Sequence, residues 1–315
     1  MARVLVTRRL PDGGLDPLRA AGHELIERPG DAPLSHDALV AAAGDVDAVV
    51  CLLTDRIDAE VFAAGAGRLR VVANVAVGYD NIDVAAAAEH GIAVCNTPGV
   101  LDETTADLAF LLLLAASRLA SDAERDLRAG RWSGWGINQY LGRDVHGATL
   151  GLVGFGRVGQ TMGRRGTGFG MQVLHHTRHD TGVPGHVADL DRLLEECDAV
   201  SLHVPLTDET RHLIGAPELA RMKPTAVLVN TARGPVVDEE ALADALAQGT
   251  IFAAGLDVFE REPGVHPRLL AAPRAVLLPH IGSATTATRT RMTRVASEGA
   301  RAVLAGERPL NLVTP

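Results

Sequence analysis

Aromatic side chains make up only 3% of this 315-residue chain, so its core must be built from Ala, Val and Leu within a hydrophobic content of 47%. Cysteine is nearly absent too. Cys51, Cys95 and Cys197 lie far apart and no CxxC pair occurs, which removes both a zinc-binding motif and a disulfide framework from consideration. They read as buried free thiols in a reducing cytoplasm. Positive charge is scarce: 30 Lys and Arg against 39 Asp and Glu leave a net charge of −9. Binding nucleic acid needs a basic face, so no nucleic-acid partner is expected. Long hydrophobic runs are missing as well. The longest, "LAFLLLLAA" at 108–116, is bounded by Asp107 and Arg118 and is too short to span a bilayer, so it reads as a buried helix. The opening "MARVLVTRRL" has no signal-peptide core and reads as a first strand. These features predict a cytoplasmic protein with no membrane partner.

What the chain does contain is alternation. Short β-branched runs ("RVLVT", "HELIER", "AVVCLL", "RVVANV", "IAVCN") are separated by helical stretches such as "SHDALVAAAG" and "DAEVFAAGAG". A second series follows: "ATLGLVGF", "QVLHHT", "AVSLHV", "AVLVNT", "IFAAGLDV" and "AVLLP". This pattern predicts an α/β fold with parallel strands, and two series imply two sheets in two domains. Between them the sequence predicts one long helix over 102–129, then an irregular, Gly-rich excursion at 130–147 that holds both tryptophans. The segment 285–307 has helical period and should pack back on the first domain.

The first chemical signal is Gly154-Phe155-Gly156-Arg157-Val158-Gly159, a GxGxxG between a strand and a helix. Its first glycine permits the tight turn, the second lets backbone approach a pyrophosphate, and the third lets helix and strand pack closely. A dinucleotide is the expected ligand, with S-adenosylmethionine as the competing use of such a turn. Two further glycines, Gly163 and Gly166, lie inside the helix that follows, where each costs about 1 kcal/mol relative to Ala. The sequence offers no reason for them.

Three polar islands end apolar runs downstream: "NTARGPVVD" (230–238), "AAGLDVFEREP" (253–263) and "LLPHIGSAT" (277–285). Open α/β sheets place ligand groups at such strand ends. Arg233 offers a bidentate fork for a carboxylate. His280 is a side chain that exchanges protons near neutrality, and a carboxylate such as Glu262 would favour its charged form. Taken singly, the arginine also fits a surface ion pair and the histidine a capped turn.

Together these segments resemble the D-isomer-specific 2-hydroxyacid dehydrogenases. "GLVGFGRVGQ", "NTARGPVVDEEAL", "AAGLDVFEREP" and "LPHIGSAT" look like the signatures of that family, and "NVAVGYDNIDVAAAAEHGIAVCNTPGVLDETTADLAFLLLL" is similar to its interdomain region. "CLLTDRID", "NVAVGYDNID" and the stretch from Trp132 to "LGRDVHG" look most like the glyoxylate/hydroxypyruvate reductases. The resemblance implies a flavodoxin-like substrate domain of residues 1–98 plus 286–315, with a Rossmann domain at 99–285 inserted into it. It implies a homodimer, a small 2-oxo or 2-hydroxy acid substrate and no metal. Arg233 would hold the substrate carboxylate and carbonyl, His280 would protonate the carbonyl oxygen, and Glu262 would keep that imidazole charged. Glu260 is out of register with the family's glutamate and reads as a solvated neighbour. Leu53, Val77, Gly78 and Trp135 would join Arg233 and His280 around the substrate, Val77 and Gly78 through backbone amides. Around the cofactor the resemblance places Thr105, Gly154, Phe155, Gly156, Arg157, Val158, Thr177, Arg178, His179, Val204, Pro205, Thr210, Thr231, Ala232, Asp257 and Gly282.

In NAD-specific members an acid ends the second strand of the nucleotide-binding sheet and accepts the ribose hydroxyls. Here that position falls on Thr177 with Arg178 next, and His179 adds a donor, which suits a 2′-phosphate. NADP(H) is therefore the expected cofactor, with NAD(H) possible if the strand runs on to bring Asp180 into play. Other member reactions (phosphoglycerate, D-lactate or 2-ketogluconate oxidoreduction) and a non-catalytic nucleotide sensor on the same fold are the alternatives.

Overall fold

Each short β-branched run becomes a strand in the computed structural model, which describes residues 1–313. The described chain forms two compact units, Met1–Leu101 with the segment from Ser283 onward, and Asp102–Gly282.

The first unit carries β1 (Arg3–Val6), β2 (Glu24–Glu27), β3 (Ala48–Cys51), β4 (Val71–Asn74) and β5 (Ala93–Cys95), all parallel. Strands β3 and β4 are buried at every position, which is why they read as continuous apolar runs rather than as alternation. The order is β12-β5-β4-β3-β1-β2, closed by a short antiparallel strand β12 (Leu312–Val313) that the sequence reading did not anticipate. The helix Thr286–Leu304 starts at a Thr285 N-cap, whose hydroxyl accepts from Thr288 N. Its Met292, Ala296 and Ala300 pack among Val4, Val6, Val50 and Val71 of the first unit.

The second unit is a six-stranded parallel sheet ordered β11-β10-β9-β8-β6-β7. Its strands are β6 (Thr149–Val153), β7 (Gln172–His176), β8 (Ala199–Leu202), β9 (Val227–Asn230), β10 (Ala253–Leu256) and β11 (Ala275–Leu277). The chain order reverses between β6 and β8, so the crevice outside their C-terminal ends is where such a sheet binds ligands. The helix Arg157–Gly168 lies on β6 and β7 through its glycines. A Cβ on Gly166 would come within 2.8 Å of Leu150 Cδ2, and one on Gly163 within 3.3 Å of Leu152 Cδ1. The glycines therefore let the helix sit closer to the sheet than alanine allows, which accounts for a helix-propensity cost that looked gratuitous in the sequence.

The long helix expected over 102–129 is two helices, Asp102–Ser117 and Ala120–Arg128, bent by 69°. Leu119 takes a left-handed conformation with φ 52° at the break. The reason is tertiary: the returning chain at Gly142–Arg143 lies across the end of the first helix. Arg143 N–H donates to Ser117 O at 2.8 Å, and a Cβ on Gly142 would overlap that carbonyl. No single helix among the described residues is long and apolar enough to cross a membrane. The three cysteines are buried and free, and burial pushes the Cys95 and Cys197 thiols up to about 12.

Candidate active site

The glycine turn has the geometry that its sequence predicts. Gly154 has φ 92°, and a Cβ there would lie 2.6 Å from His203 O, so the residue just after β8 lies against the turn. A Cβ on Gly159 would overlap Gly154 O. Gly156, by contrast, faces open space: nothing lies within 4 Å of its Cβ position. It caps the N-terminus of the helix Arg157–Gly168, where free backbone N–H groups and the helix dipole favour an anion. Phe155 stacks on His175 of β7, with ring centroids 3.9 Å apart. Burial and the charge of neighbouring His186 lower the His175 pKa, keeping that ring neutral against the phenyl face.

Strand β7 ends at His176, so Thr177 is the first residue beyond it. Thr177 is half-buried, and Arg178, His179 and Asp180 are exposed. Asp180 is turned into its own loop, accepting from Gly182 N–H at 2.8 Å. Arg178 pairs with Glu209 at 3.0 Å, but the two side chains are 80% and 73% exposed, so the pair contributes little and leaves the guanidinium easily redirected. On the neighbouring β8 loop, Thr210 Oγ1 donates to Pro205 O at 2.7 Å, holding the turn that follows Val204 and Pro205.

The ends of β9 and β10 carry the remaining groups. Asn230, buried at the end of β9, accepts from Ala232 N–H at 3.0 Å and donates from Nδ2 to Arg233 O at 2.9 Å, so one amide shapes the turn that presents Arg233. The Thr231 hydroxyl beside it is buried with no hydrogen-bond partner among the described residues. A buried hydroxyl left unmatched is costly, and such a group at a strand end fits a ligand that supplies its partner. Asp257, 1% exposed at the end of β10, accepts from Ile281 N–H and Gly282 N–H, both at 2.7 Å. Burial pushes its carboxyl up, against those two hydrogen bonds and the charge of His280, which draw it down. Thr105 Oγ1 lies 3.5 Å from the Cβ position of Gly282, so Thr105, Asp257 and Gly282 share one corner.

His280 sits just past β11 with φ 53°, its N–H donating to Asp257 O at 2.8 Å. Its Nδ1 is 2.7 Å from Glu262 Oε2, and both side chains are 28% exposed. Phe259 N–H donates to the other Glu262 oxygen at 3.0 Å. Burial raises the Glu262 pKa, but the hydrogen bond and charge of His280, the Phe259 N–H and the charge of Arg233 outweigh it and hold the carboxyl below its usual range. A carboxylate is acceptor-only, so His280 Nδ1 carries the proton in this contact.

In the first unit, the loop after β4 is clamped by three asparagines. Asn96 Nδ2 donates to Val77 O at 2.8 Å, and Asn74 Nδ2 donates to Gly78 O at 3.0 Å and to Asn81 Oδ1 at 3.1 Å. Asn81 in turn donates to Leu52 O and Asp55 O. The N–H groups of Val77 and Gly78 donate to no acceptor among the described residues. Leu53, 36% exposed, lies on the adjoining loop after β3, which buried Asp55 closes by accepting from Leu52 N–H and the Thr7 hydroxyl.

Residues 110–282 match the family model described as the D-isomer specific 2-hydroxyacid dehydrogenase, NAD binding domain. The chain is 50% identical to the glyoxylate reductase of Korarchaeum cryptofilum, over 99% of this chain and 95% of the relative. The chain belongs to the D-isomer specific 2-hydroxyacid dehydrogenase family. The glyoxylate reductase of Thermococcus onnurineus is 47% identical over the same shares. Among solved structures, an NADPH-dependent glyoxylate/hydroxypyruvate reductase from Sinorhizobium meliloti, in complex with NADP and malonate, superposes with a TM-score of 0.88 at 35% identity, covering 99% of this chain and 96% of that one.

As a member of this family the protein is an NAD(P)-dependent oxidoreductase that takes a nicotinamide cofactor. Several residues of the dehydrogenase that shape the loops carrying the candidate residues escaped the sequence reading: Asn74, Asn81 and Asn96 in the first unit, and Asn230 and Glu239 in the second. All are buried or half-buried polar residues at or near the ends of apolar runs, and that position is the one signal which could have singled them out. Glu260 corrects an expectation. It is 22% exposed, accepts from Glu239 N–H at 2.8 Å and pairs with His212 at 3.2 Å, so it is part of the loop's framework and not a solvated neighbour.

Proposed function

We propose that the enzyme reduces small 2-oxo acids, glyoxylate and hydroxypyruvate above all, to glycolate and D-glycerate, with NADPH as the preferred reductant. The observation that carries this reading is the 2.7 Å pair of His280 Nδ1 and Glu262 Oε2 in the unit that holds the glycine turn. The names of the relatives support the substrate class, and the NADP-bound relative supports the cofactor.

Gly154, Phe155, Gly156, Arg157 and Val158 would hold the pyrophosphate, because open space at Gly156 lets backbone N–H groups approach it. Val204, Pro205 and Thr210, on the loop after β8, would line the cofactor's path beside it. Thr177, Arg178 and His179 would take the adenosine end, and Thr105, Thr231, Ala232, Asp257 and Gly282 the nicotinamide end. When bound, the nicotinamide supplies the hydride that reduces C2 of the oxo acid. Arg233 would grip the substrate carboxylate and orient its carbonyl. The His280 imidazolium gives its proton to the carbonyl oxygen, so that hydride and proton together convert C=O to CH–OH. Glu262 stays ionised beside it and keeps the imidazole oriented. In the first unit, the undonated N–H groups of Val77 and Gly78 are donors suited to a carboxylate, with Leu53 as an apolar wall beside them.

A panel of glyoxylate, hydroxypyruvate, 3-phosphohydroxypyruvate, pyruvate and 2-oxoisocaproate, each with NADPH and NADH, tests this reading through cofactor absorbance. Highest kcat/KM on the first two substrates is expected, and a marked preference for any other moves the protein to a different member reaction. NADPH is expected to outperform NADH. Arg178→Ala should erode that preference about ten- to a hundredfold, the equivalent of losing one charge-assisted hydrogen bond of about 1.5–3 kcal/mol. Equal efficiency with both cofactors in the unmodified enzyme would sink the assignment.

The second helix of the bent pair exposes Leu127, and the excursion after it exposes Trp132, Trp135, Ile137 and Leu141, with Trp135 80% exposed. Apolar side chains so concentrated mark an association surface, and a homodimer is proposed to cover them. Trp135 is assigned to the partner subunit's site, closing it over small substrates. Trp135→Ala should raise activity on 2-oxoisocaproate relative to glyoxylate; an unchanged ratio in a dimer shown intact by light scattering counts against this role.

A further inference from the structure

Glu239 opens the helix Glu239–Gln248 and is only 6% exposed, although it is a carboxylate. Both of its oxygens are occupied by backbone N–H groups of one loop: Glu260 N–H donates to Oε1 at 2.6 Å and His266 N–H to Oε2 at 3.1 Å. Glu260 returns the contact, its Oε1 accepting from Glu239 N–H at 2.8 Å, while its Oε2 takes the Nε2 of His212 at 3.2 Å. His212 is itself held with φ 51°, its N–H donating to Pro235 O at 2.7 Å. Two carboxylates thus clasp three segments: 212–214, 234–239 and 259–266.

The clasped loop is the one that carries Glu262. Its two tied points, Glu260 and His266, bracket Glu262, and Phe259 N–H holds the Glu262 carboxylate from within the same loop. The turn that presents Arg233 rests on this loop as well, since a Cβ on Gly234 would overlap the Phe259 carbonyl. Packing alone would not call for charge here, because burying a carboxylate costs more than burying an apolar residue of similar size. A carboxylate does what no apolar side chain can: it accepts N–H groups from two backbone points six residues apart. The helix N-terminus beneath it favours that negative charge.

We propose that Glu239 and Glu260 are positioning residues for proton transfer, fixing Glu262 against His280 and setting the loop's spacing from Arg233. The proposal rests on the reading of Glu262 and His280 as the proton-donating pair. Among the described residues, the ionisable groups facing that pair include Arg233 and Asp257, and His212 faces the clasp.

The test compares Glu239→Gln, Glu260→Ala, Glu262→Gln and the double variant Glu239→Gln/Glu262→Gln. Measurements are kcat and KM for glyoxylate across pH, NADPH affinity by fluorescence quenching, and Tm. Glu239→Gln is expected to lower kcat about tenfold or more, as displacement of a reacting group by a fraction of an ångström does, with NADPH affinity unchanged. The alkaline fall in its rate should move to lower pH, in the direction of Glu262→Gln, and Glu260→Ala should move it the same way by less. In the double variant the fall should lie where Glu262→Gln alone puts it, because residues that act through one another are not additive. If the fall stays at its wild-type pH in Glu239→Gln and Glu260→Ala while Glu262→Gln moves it, the clasp is structural only and the proposal is overturned. If Glu262→Gln itself leaves the fall in place, the proton-donor reading fails and the proposal fails with it. Should Glu239→Gln not fold, Glu260→Ala on the half-exposed side of the clasp decides the matter alone.

Discussion

Replacing His280 by alanine is expected to lower kcat for oxo-acid reduction by roughly two to four orders of magnitude, the usual contribution of a positioned general acid. NADPH affinity should be nearly unchanged, because His280 reaches Asp257 at the nicotinamide end through its backbone N–H, which alanine keeps. The complementary variant, Glu262→Gln, keeps the size of the side chain and removes its charge. In the wild-type enzyme Glu262 is held below the usual carboxylate range, so it is ionised throughout neutral and alkaline pH. Reduction consumes a proton from the general acid, so its rate is expected to fall towards alkaline pH. Without the anion 2.7 Å away the charged imidazole is less favoured, and the fall moves to lower pH. Steady-state kinetics of both variants from pH 5 to pH 10 check this, and near-normal turnover by His280→Ala would refute the assignment.

Gly234→Ala should be the most damaging conservative change in the chain. A Cβ there would overlap the Phe259 carbonyl, and a Glu260 backbone nitrogen lies behind it, so no flexible side chain is available to yield. The backbone must part, at a cost of about 1–3 kcal/mol or more for overpacking. The two loops that part are those of Arg233 and Glu262, so geometry suffers along with stability. A displacement of about 1 Å between orienting and proton-donating groups costs about a hundredfold in rate. Thermal denaturation and kcat/KM measured together check this. A stable variant with wild-type kinetics would mean that the contact between the two loops is not needed for the chemistry.

Much of the candidate site was legible because its parts fall where local pattern is strong. The glycine turn announces itself through a strand, three glycines and a helix, and the polar islands stand out against apolar strand ends. The supporting residues were not legible in the same way. Asn230, Asn74 and Glu239 are ordinary polar residues in sequence: the two asparagines matter because they shape the turns that follow them, and Glu239 because it satisfies backbone groups 21 and 27 residues away. Glu260 was misread for the same reason. Its partners, Glu239 and His212, are 21 and 48 positions away, and nothing local distinguishes it from a solvated acid.

By itself the sequence determined the two parallel sheets, because strands buried on both faces must be short apolar runs and the helices between them must be amphipathic. It also determined the site of the nucleotide turn, whose glycines are demanded by backbone geometry within a few residues. Only the tertiary structure decided where the helix after Ser117 breaks, since the carbonyl at its end is capped by Arg143 from a segment 26 residues on. Only the tertiary structure explained Gly163 and Gly166, which answer to Leu152 and Leu150 on the sheet below and not to the helix they weaken. It alone decided that His280 meets Glu262, because a hydrogen bond of 2.7 Å between residues 18 apart depends on how β10 and β11 lie side by side. Local propensities act over a few residues, whereas the alignment of a proton donor depends on contacts that exist only once the sheet has formed.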